Sequence, residues 1–89
     1  MDYEWDEAKA QLNLEKHGVA FEVVYDFEWE TALVLEDDRE NYGEDRYRSM
    51  GHIGAGLYAL VFTFRGDTIR VISLRHATRR EKRYYESNS

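Results

Sequence analysis

The stretch "LYALVFTFRGDTIRVISLRHATRREKRYYE", Leu57 to Glu86, decides the fold. Its two apolar runs, "LYALVFTF" and "TIRVISLRH", are rich in β-branched and aromatic residues, which pack well on a pleated surface. They flank "RGDT", whose Gly66-Asp67 centre suits a two-residue type II′ hairpin turn. The turn sets a register of Phe64 opposite Ile69, Phe62 opposite Val71 and Tyr58 opposite Arg75. Arg75 is then expected on the face of Phe62 and Phe64, where a charge is costly without a partner. Past the second run the period changes. Thr78 followed three residues later by Glu81 reads as a capping box, so a helix begins here. Its first turn holds Arg79 and Arg80, although a helix start carries about half a positive charge and recruits anions.

Upstream, "RYRSMGHI" alternates, with Arg46, Arg48, Met50 and His52 on one side and Tyr47, Ser49, Gly51 and Ile53 on the other. "TALVLED" is a further strand, and the acidic loop "EDDRENYGED" joins the two. Before them, "FEVVYDFE" spaces Phe21, Val24 and Tyr25 as a short second helix. The first helix is expected from about Glu7 to His17, with Asp6 as N-cap, Gly18 as left-handed stop, and Trp5, Ala8 and Leu12 on one face. "DYEW" suits a short opening strand. The result is an α+β domain: two N-terminal helices, a mostly antiparallel β-sheet of about four strands, and a C-terminal helix.

Composition narrows the function. With 89 residues, 43% hydrophobic and 15% aromatic, the chain fits one domain with a single modest core, spanning 1–89. It has no cysteine, which excludes disulfides, thiolate metal sites and Cys nucleophiles. Neither a signal peptide nor a membrane span is apparent, so a cytoplasmic location is expected. The formal charge of −6 argues against nucleic acid only on average. Ten acidic residues and one basic lie between Glu22 and Asp45, whereas nine basic and two acidic lie between Arg46 and Tyr85. A basic end can bind phosphate while an acidic end meets a basic partner.

Three blocks, "YEWDEAKAQLNLEKHGVAFE", "YGEDRYRSMG" and "IRVISLRHATRREKRYYE", resemble in order and spacing the BrnT family, the toxin half of the BrnT/BrnA type II toxin–antitoxin systems. The resemblance covers nearly the whole chain. It implies a RelE-like fold, a metal-independent ribonuclease without cofactor that blocks translation, and a DNA-binding BrnA-like antitoxin. The toxin and antitoxin are expected to form a heterotetramer that reaches operator DNA only through the antitoxin. The sequence departs from the family pattern at His76, where Lys or Arg is commoner, and at Leu74, where Ala is.

The residues themselves suggest where such chemistry sits. A helix N-terminus offers unpaired amides to an anion, and flanking arginines add bidentate donors, which gives the rule-breaking first turn a purpose. RNA cleavage without metal needs a base for the 2′-hydroxyl, donors for the phosphorane and an acid for the leaving oxygen. The catalytic candidates are His17, Glu22, Arg46, Arg75 and Arg80. His17 ends the first helix, where the dipole would favour its charged form, or it merely satisfies terminal carbonyls. Glu22 either acts in catalysis or complements a helix start, and Arg46 either clamps phosphate or pairs with Glu44 or Asp45. Lys16, His76, Arg79 and Tyr85 are the RNA-binding candidates; of Tyr84 and Tyr85, one is expected to stack on a base and the other to pack on the sheet. His52 is expected on the surface. Glu36, Asp37 and Asp38 are the candidate surface for a basic antitoxin. A non-catalytic module that binds RNA or protein through the same charge layout is the alternative.

Overall fold

Asp6 starts the first helix: its carboxylate accepts from the amides of Ala8 (2.8 Å) and Lys9 (3.2 Å). Gly18, at φ 69°, ends it and donates to Leu14 O. The computed structural model, which describes residues 1–39, 41 and 43–89, places this helix, α1, at Glu7–His17 after a short strand, β1, at Asp2–Glu4. The buried face of α1 differs from the expected one. Leu12 is 64% exposed, while Asn13 is buried.

Phe21–Asp26 forms a 3₁₀ helix rather than an α-helix, and a second 3₁₀ turn follows at Trp29–Thr31. At three residues per turn Phe21 and Val24 align and are both fully buried, whereas Tyr25 rotates off that line and is exposed. Four further strands complete the sheet: β2 (Leu33–Asp37), β3 (Arg46–Ile53), β4 (Gly56–Arg65) and β5 (Thr68–His76). Positions 40 and 42 of the expected acidic loop lie outside the described residues.

The sheet is therefore five-stranded, in the order β1-β5-β4-β3-β2, and not four-stranded. The additional strand is β1, which joins the edge parallel to β5; the other pairs are antiparallel. Arg65 stands opposite Thr68 across Gly66-Asp67, and Gly66 at φ 62° is the only positive-φ residue of that turn, as type II′ requires. Phe64–Ile69 and Phe62–Val71 pair as the turn dictates. A bulge between Val61 and Phe62 then changes the register: Val61 faces Ser73, leaving Ile72 as the extra residue. Tyr58 consequently faces His76, and Arg75 faces Ala59. Because one residue of slip reverses every later side chain, Leu74 joins Leu60 and Phe62 in the core and Arg75 turns to the opposite face.

The 3₁₀ helices and α1 cover one face, around Phe21, Val24, Leu60, Phe62, Val71 and Leu74. The closing helix, α2 (Arg79–Asn88), packs on the other face near Met50, Leu57 and Ala77 through Tyr85. Gly51 marks how close the first layer comes, because a Cβ there would stand 2.5 Å from the Phe27 ring. Gly51→Ala is expected to destabilise the fold by about 1–3 kcal/mol through overpacking. Thermal unfolding checks this, and an unchanged Tm would mean that the Phe27 layer yields.

Candidate functional site

Strand alternation brings Arg46 and Arg48 of β3, Leu35 and Asp37 of β2, Ala59 and Val61 of β4, and Arg75 of β5 onto the α2 side of the sheet. There α2 covers only part of the surface and leaves a groove of about 320 Å³ beside its first turns. Leu35, Met50, Ala59, Leu60 and Val61 contribute apolar lining; Arg39, Arg48, Arg75, Arg80, Glu81 and Tyr84 supply its polar groups and one aromatic ring.

The helix start is organised by Glu81. The Thr78 hydroxyl accepts from Glu81 N at 3.1 Å, and the Glu81 carboxylate accepts from Thr78 N at 2.8 Å, which completes the capping box. The same carboxylate receives both arms of Arg75, at 2.7 and 3.0 Å. This bidentate contact, followed by the two Thr78 hydrogen bonds, holds the Glu81 carboxyl below the ordinary carboxylate range. Arg75 thus finds its partner across the sheet face, not among the phenylalanines.

Positive charge still dominates. Arg39 grips the buried Asp37 carboxylate with contacts of 2.7 and 2.8 Å, and its side-chain hydrogen bonds lower that carboxyl's pKa, with help from the charge of Arg48. Among the described residues, Arg48 and Arg80 are exposed and form no ion pair. One carboxylate, Glu81, therefore shares the groove lining with four guanidinium groups, beside the positive end of α2, while Asp37 is buried against Arg39.

His17 is partly buried at the C-terminus of α1. Its pKa is lowered, first by desolvation, then by the charges of Lys16 and Arg75. This reverses the charged form expected from the helix dipole: neighbouring cations and burial outweigh the terminal carbonyls. The neutral ring is a proton acceptor at pH 7.

Other candidates fall elsewhere. Arg46 lies on the groove's side of the sheet and pairs with Glu44 at 3.3 Å. Glu22 is exposed on the first 3₁₀ helix, a layer that covers the opposite face. His76 is also exposed on that opposite face, with its ring 4.5 Å from that of Tyr58. Lys16 and Arg79 are exposed at the helix ends. Tyr85 is buried, donates its hydroxyl to Thr31 O at 2.8 Å and meets His52 edge-on, so His52 is partly covered. The exposed ring at the groove is Tyr84, which corrects the stacking role given to Tyr85. Glu36 and Asp38 are exposed, but Asp37 is not. Arg48 was legible as a facemate of Arg46, whereas Arg39 gave no signal beyond being the lone cation of an acidic run.

A protein-family model described as "Ribonuclease toxin, BrnT, of type II toxin-antitoxin system" matches residues 5–81, from Trp5 through the first turn of α2. The span contains Arg39, Arg48, Arg75, Arg80 and Glu81 and stops short of Tyr84. No curated protein matches the sequence.

Proposed function

We propose that this chain, which belongs to the BrnT family of ribonuclease toxins of type II toxin–antitoxin systems, cuts RNA by metal-independent transphosphorylation in the arginine groove. The observation that carries this reading is the gathering of Arg39, Arg48, Arg75 and Arg80 in one groove beside the start of α2, with His17 at the end of α1 held neutral first by burial, then by the charges of Lys16 and Arg75. His17 takes the proton of a 2′-hydroxyl, whose oxygen attacks the adjacent phosphorus. The bond to the 5′-oxygen breaks, that oxygen takes a proton from solvent, and a 2′,3′-cyclic phosphate remains. Arg75 and Arg80 donate to the dianionic phosphorane, with the α2 amides behind them. Tyr84 stacks on a base over the apolar lining. Arg46, Arg79, Lys16 and His76 contact RNA outside this centre, and Glu22 takes no part. Glu81 in the groove and Asp37 buried behind Arg39 are each held bidentate by an arginine, which favours their reading as positioning groups over metal ligands.

Product chemistry tests the proposal. With EDTA present, purified protein should leave fragments ending in cyclic phosphate or its 2′/3′-phosphate hydrolysis products. Loss of cutting in EDTA, or 3′-hydroxyl ends, would overturn it. His17→Gln should lower single-turnover cleavage by roughly 10² with RNA affinity little changed. The acidic limb of the wild-type rate profile should fall below the ordinary imidazole value, since the His17 pKa is lowered. A variant retaining wild-type turnover would remove His17 from the chemistry.

The same reading extends to the partner. Blocked translation in the cytoplasm follows from RNA cutting, and a BrnA-like antitoxin in a heterotetramer restrains it, binding operator DNA itself. The α+β topology with helices over a largely antiparallel sheet is compatible with a RelE-like fold. Among the described residues the outer edge of β2 carries no strand, and Glu36 and Asp38 stand exposed beside it, a surface suited to a basic segment. Asp37 is excluded from that surface by its burial against Arg39. Glu36→Lys with Asp38→Lys should therefore slow antitoxin association and flatten its salt dependence. Stopped-flow kinetics at low and high salt measure this, and identical rates would move docking away from β2.

A further inference from the structure

We propose that the hollow between α1 and β5 is a second nucleotide subsite, holding RNA on the far side of the scissile phosphate from the arginine groove. The inference rests on the ribonuclease reading above and assigns residues that the reaction chemistry leaves unused. The hollow measures about 210 Å³ and is lined by Lys9, Leu12, Asn13, Lys16, His17, Ile72 and Ser73.

Leu12 is the first observation. It is 64% exposed although α1 packs against the sheet, so its apolar surface is not spent on the core. Ile72 is the second: the bulge displaces it from strand pairing and leaves it partly buried on the same hollow. These two side chains make an apolar patch that the fold itself does not need. Charge is the third. Lys9 and Lys16 stand seven residues apart, which puts them within about 20° of one another around the helix. Both are exposed and neither has an ion pair among the described residues. An apolar platform flanked by cations suits a base and its neighbouring phosphates better than it suits an acidic or a purely apolar ligand.

Continuity identifies the occupant. His17 and Ser73 line this hollow and Arg75 lines the arginine groove; Ser73 and Arg75 are two residues apart on β5 and share one face of the sheet, opposite Val61 and Ala59. The two hollows therefore adjoin along β5, with His17 and Arg75 on their neighbouring rims. An endonuclease holds chain on both sides of the bond it cuts. With one side in the arginine groove, the other leaves past His17 onto Leu12 and Ile72.

The test uses 2′-O-methyl oligouridylates of two, four and six nucleotides, which have no 2′-hydroxyl to attack, in fluorescence anisotropy with the full chain. Wild-type affinity should rise at least tenfold from two to six nucleotides. In Lys9→Gln and in Leu12→Gln, both surface changes, that rise should shrink to about threefold or less. For Lys9→Gln the log–log salt slope for the hexamer should drop by about 0.7, the value of one phosphate contact on a single strand. Equal length dependence in wild type and both variants would overturn the subsite while leaving the ribonuclease reading intact. Equality accompanied by weakened antitoxin binding in Leu12→Gln would assign the hollow to protein instead. Should the wild type neither bind the oligomers nor cut unmodified RNA, both proposals fall.

Discussion

Arg75→Ala should lower RNA cleavage by roughly 10²–10³, the loss typical when a preorganised donor to a developing oxyanion is removed. The guanidinium does two things in the free protein. It lies in the arginine groove with its fork on Glu81, and its charge adds, after burial and Lys16, to the lowering of the His17 pKa. Removing it takes away a phosphorane donor and the smallest of the three causes that lower the His17 pKa, so the acidic limb of the rate profile should also move slightly upward while burial and Lys16 keep it below the ordinary imidazole value. A purely structural role would not move that limb. The fold should survive, although stability should drop by about 1 kcal/mol or less, because the Arg75 and Glu81 side chains are only partly covered, at 33% and 26% exposure. This loss has a defined pH dependence. The Glu81 carboxyl is held below its unfolded value, first by Arg75, so its contribution is complete above the ordinary carboxylate range and fades as pH falls through the lowered value. The Tm gap between wild type and Arg75→Ala should accordingly be widest near neutrality and close in acid. Full toxicity of Arg75→Ala at matched expression would displace the site.

The legibility of these features follows physical lines. Gly66-Asp67 announced its hairpin because few residue pairs suit a type II′ turn, and Thr78 with Glu81 announced α2 because capping chemistry is local. The bulge was invisible. Ile72 is β-branched and apolar like its neighbours, so nothing in composition marks it as the residue to be skipped, yet it reverses the face of Arg75. The 3₁₀ helix escaped for a related reason: six residues are too few to separate a period of 3.0 from 3.6, and only the exposure of Tyr25 does so. β1 adds three residues, whose place is set by long-range pairing to β5. At the site, Arg80 was legible because it violates the dipole rule, and Arg75 because the expected register left its charge on an apolar face, a placement that the bulge reverses. Arg39, Arg48 and Tyr84 were not assembled with them, since their meeting depends on β2–β3 pairing and on which tyrosine of α2 faces the sheet.

Asn13→Leu should cost about 3–5 kcal/mol and bring a domain of this size close to unfolding. Reading α1 by hydrophobic period alone favours that substitution, since it puts an apolar residue at a buried position. The structure predicts the reverse. The Asn13 side-chain amide donates to Val19 O at 2.9 Å and to Leu74 O at 2.7 Å, and its oxygen accepts from Leu74 N at 3.2 Å. Leu74 lies beyond the short reach of β1, which pairs with β5 only from Thr68 to Arg70, so the strand edge there is finished by a side chain instead of a backbone. Asn13 acts as one residue of a missing strand and fastens α1, the chain turn at Val19 and the bulged part of β5 together. Leucine would leave three buried backbone groups without these partners, each costing about 1–3 kcal/mol, and its own burial would recover only part of that. Asn13→Asp separates the two halves of the argument. It keeps an acceptor for Leu74 N but turns a carboxylate toward two carbonyl oxygens, so it should be strongly destabilised at neutral pH and regain stability on acidification, when a protonated carboxyl restores one donor. Chemical denaturation of both variants from pH 4 to pH 8 decides the matter. If Asn13→Leu were as stable as wild type, the strand edge would have found other partners, and the position of His17 beside Arg75 would need another explanation.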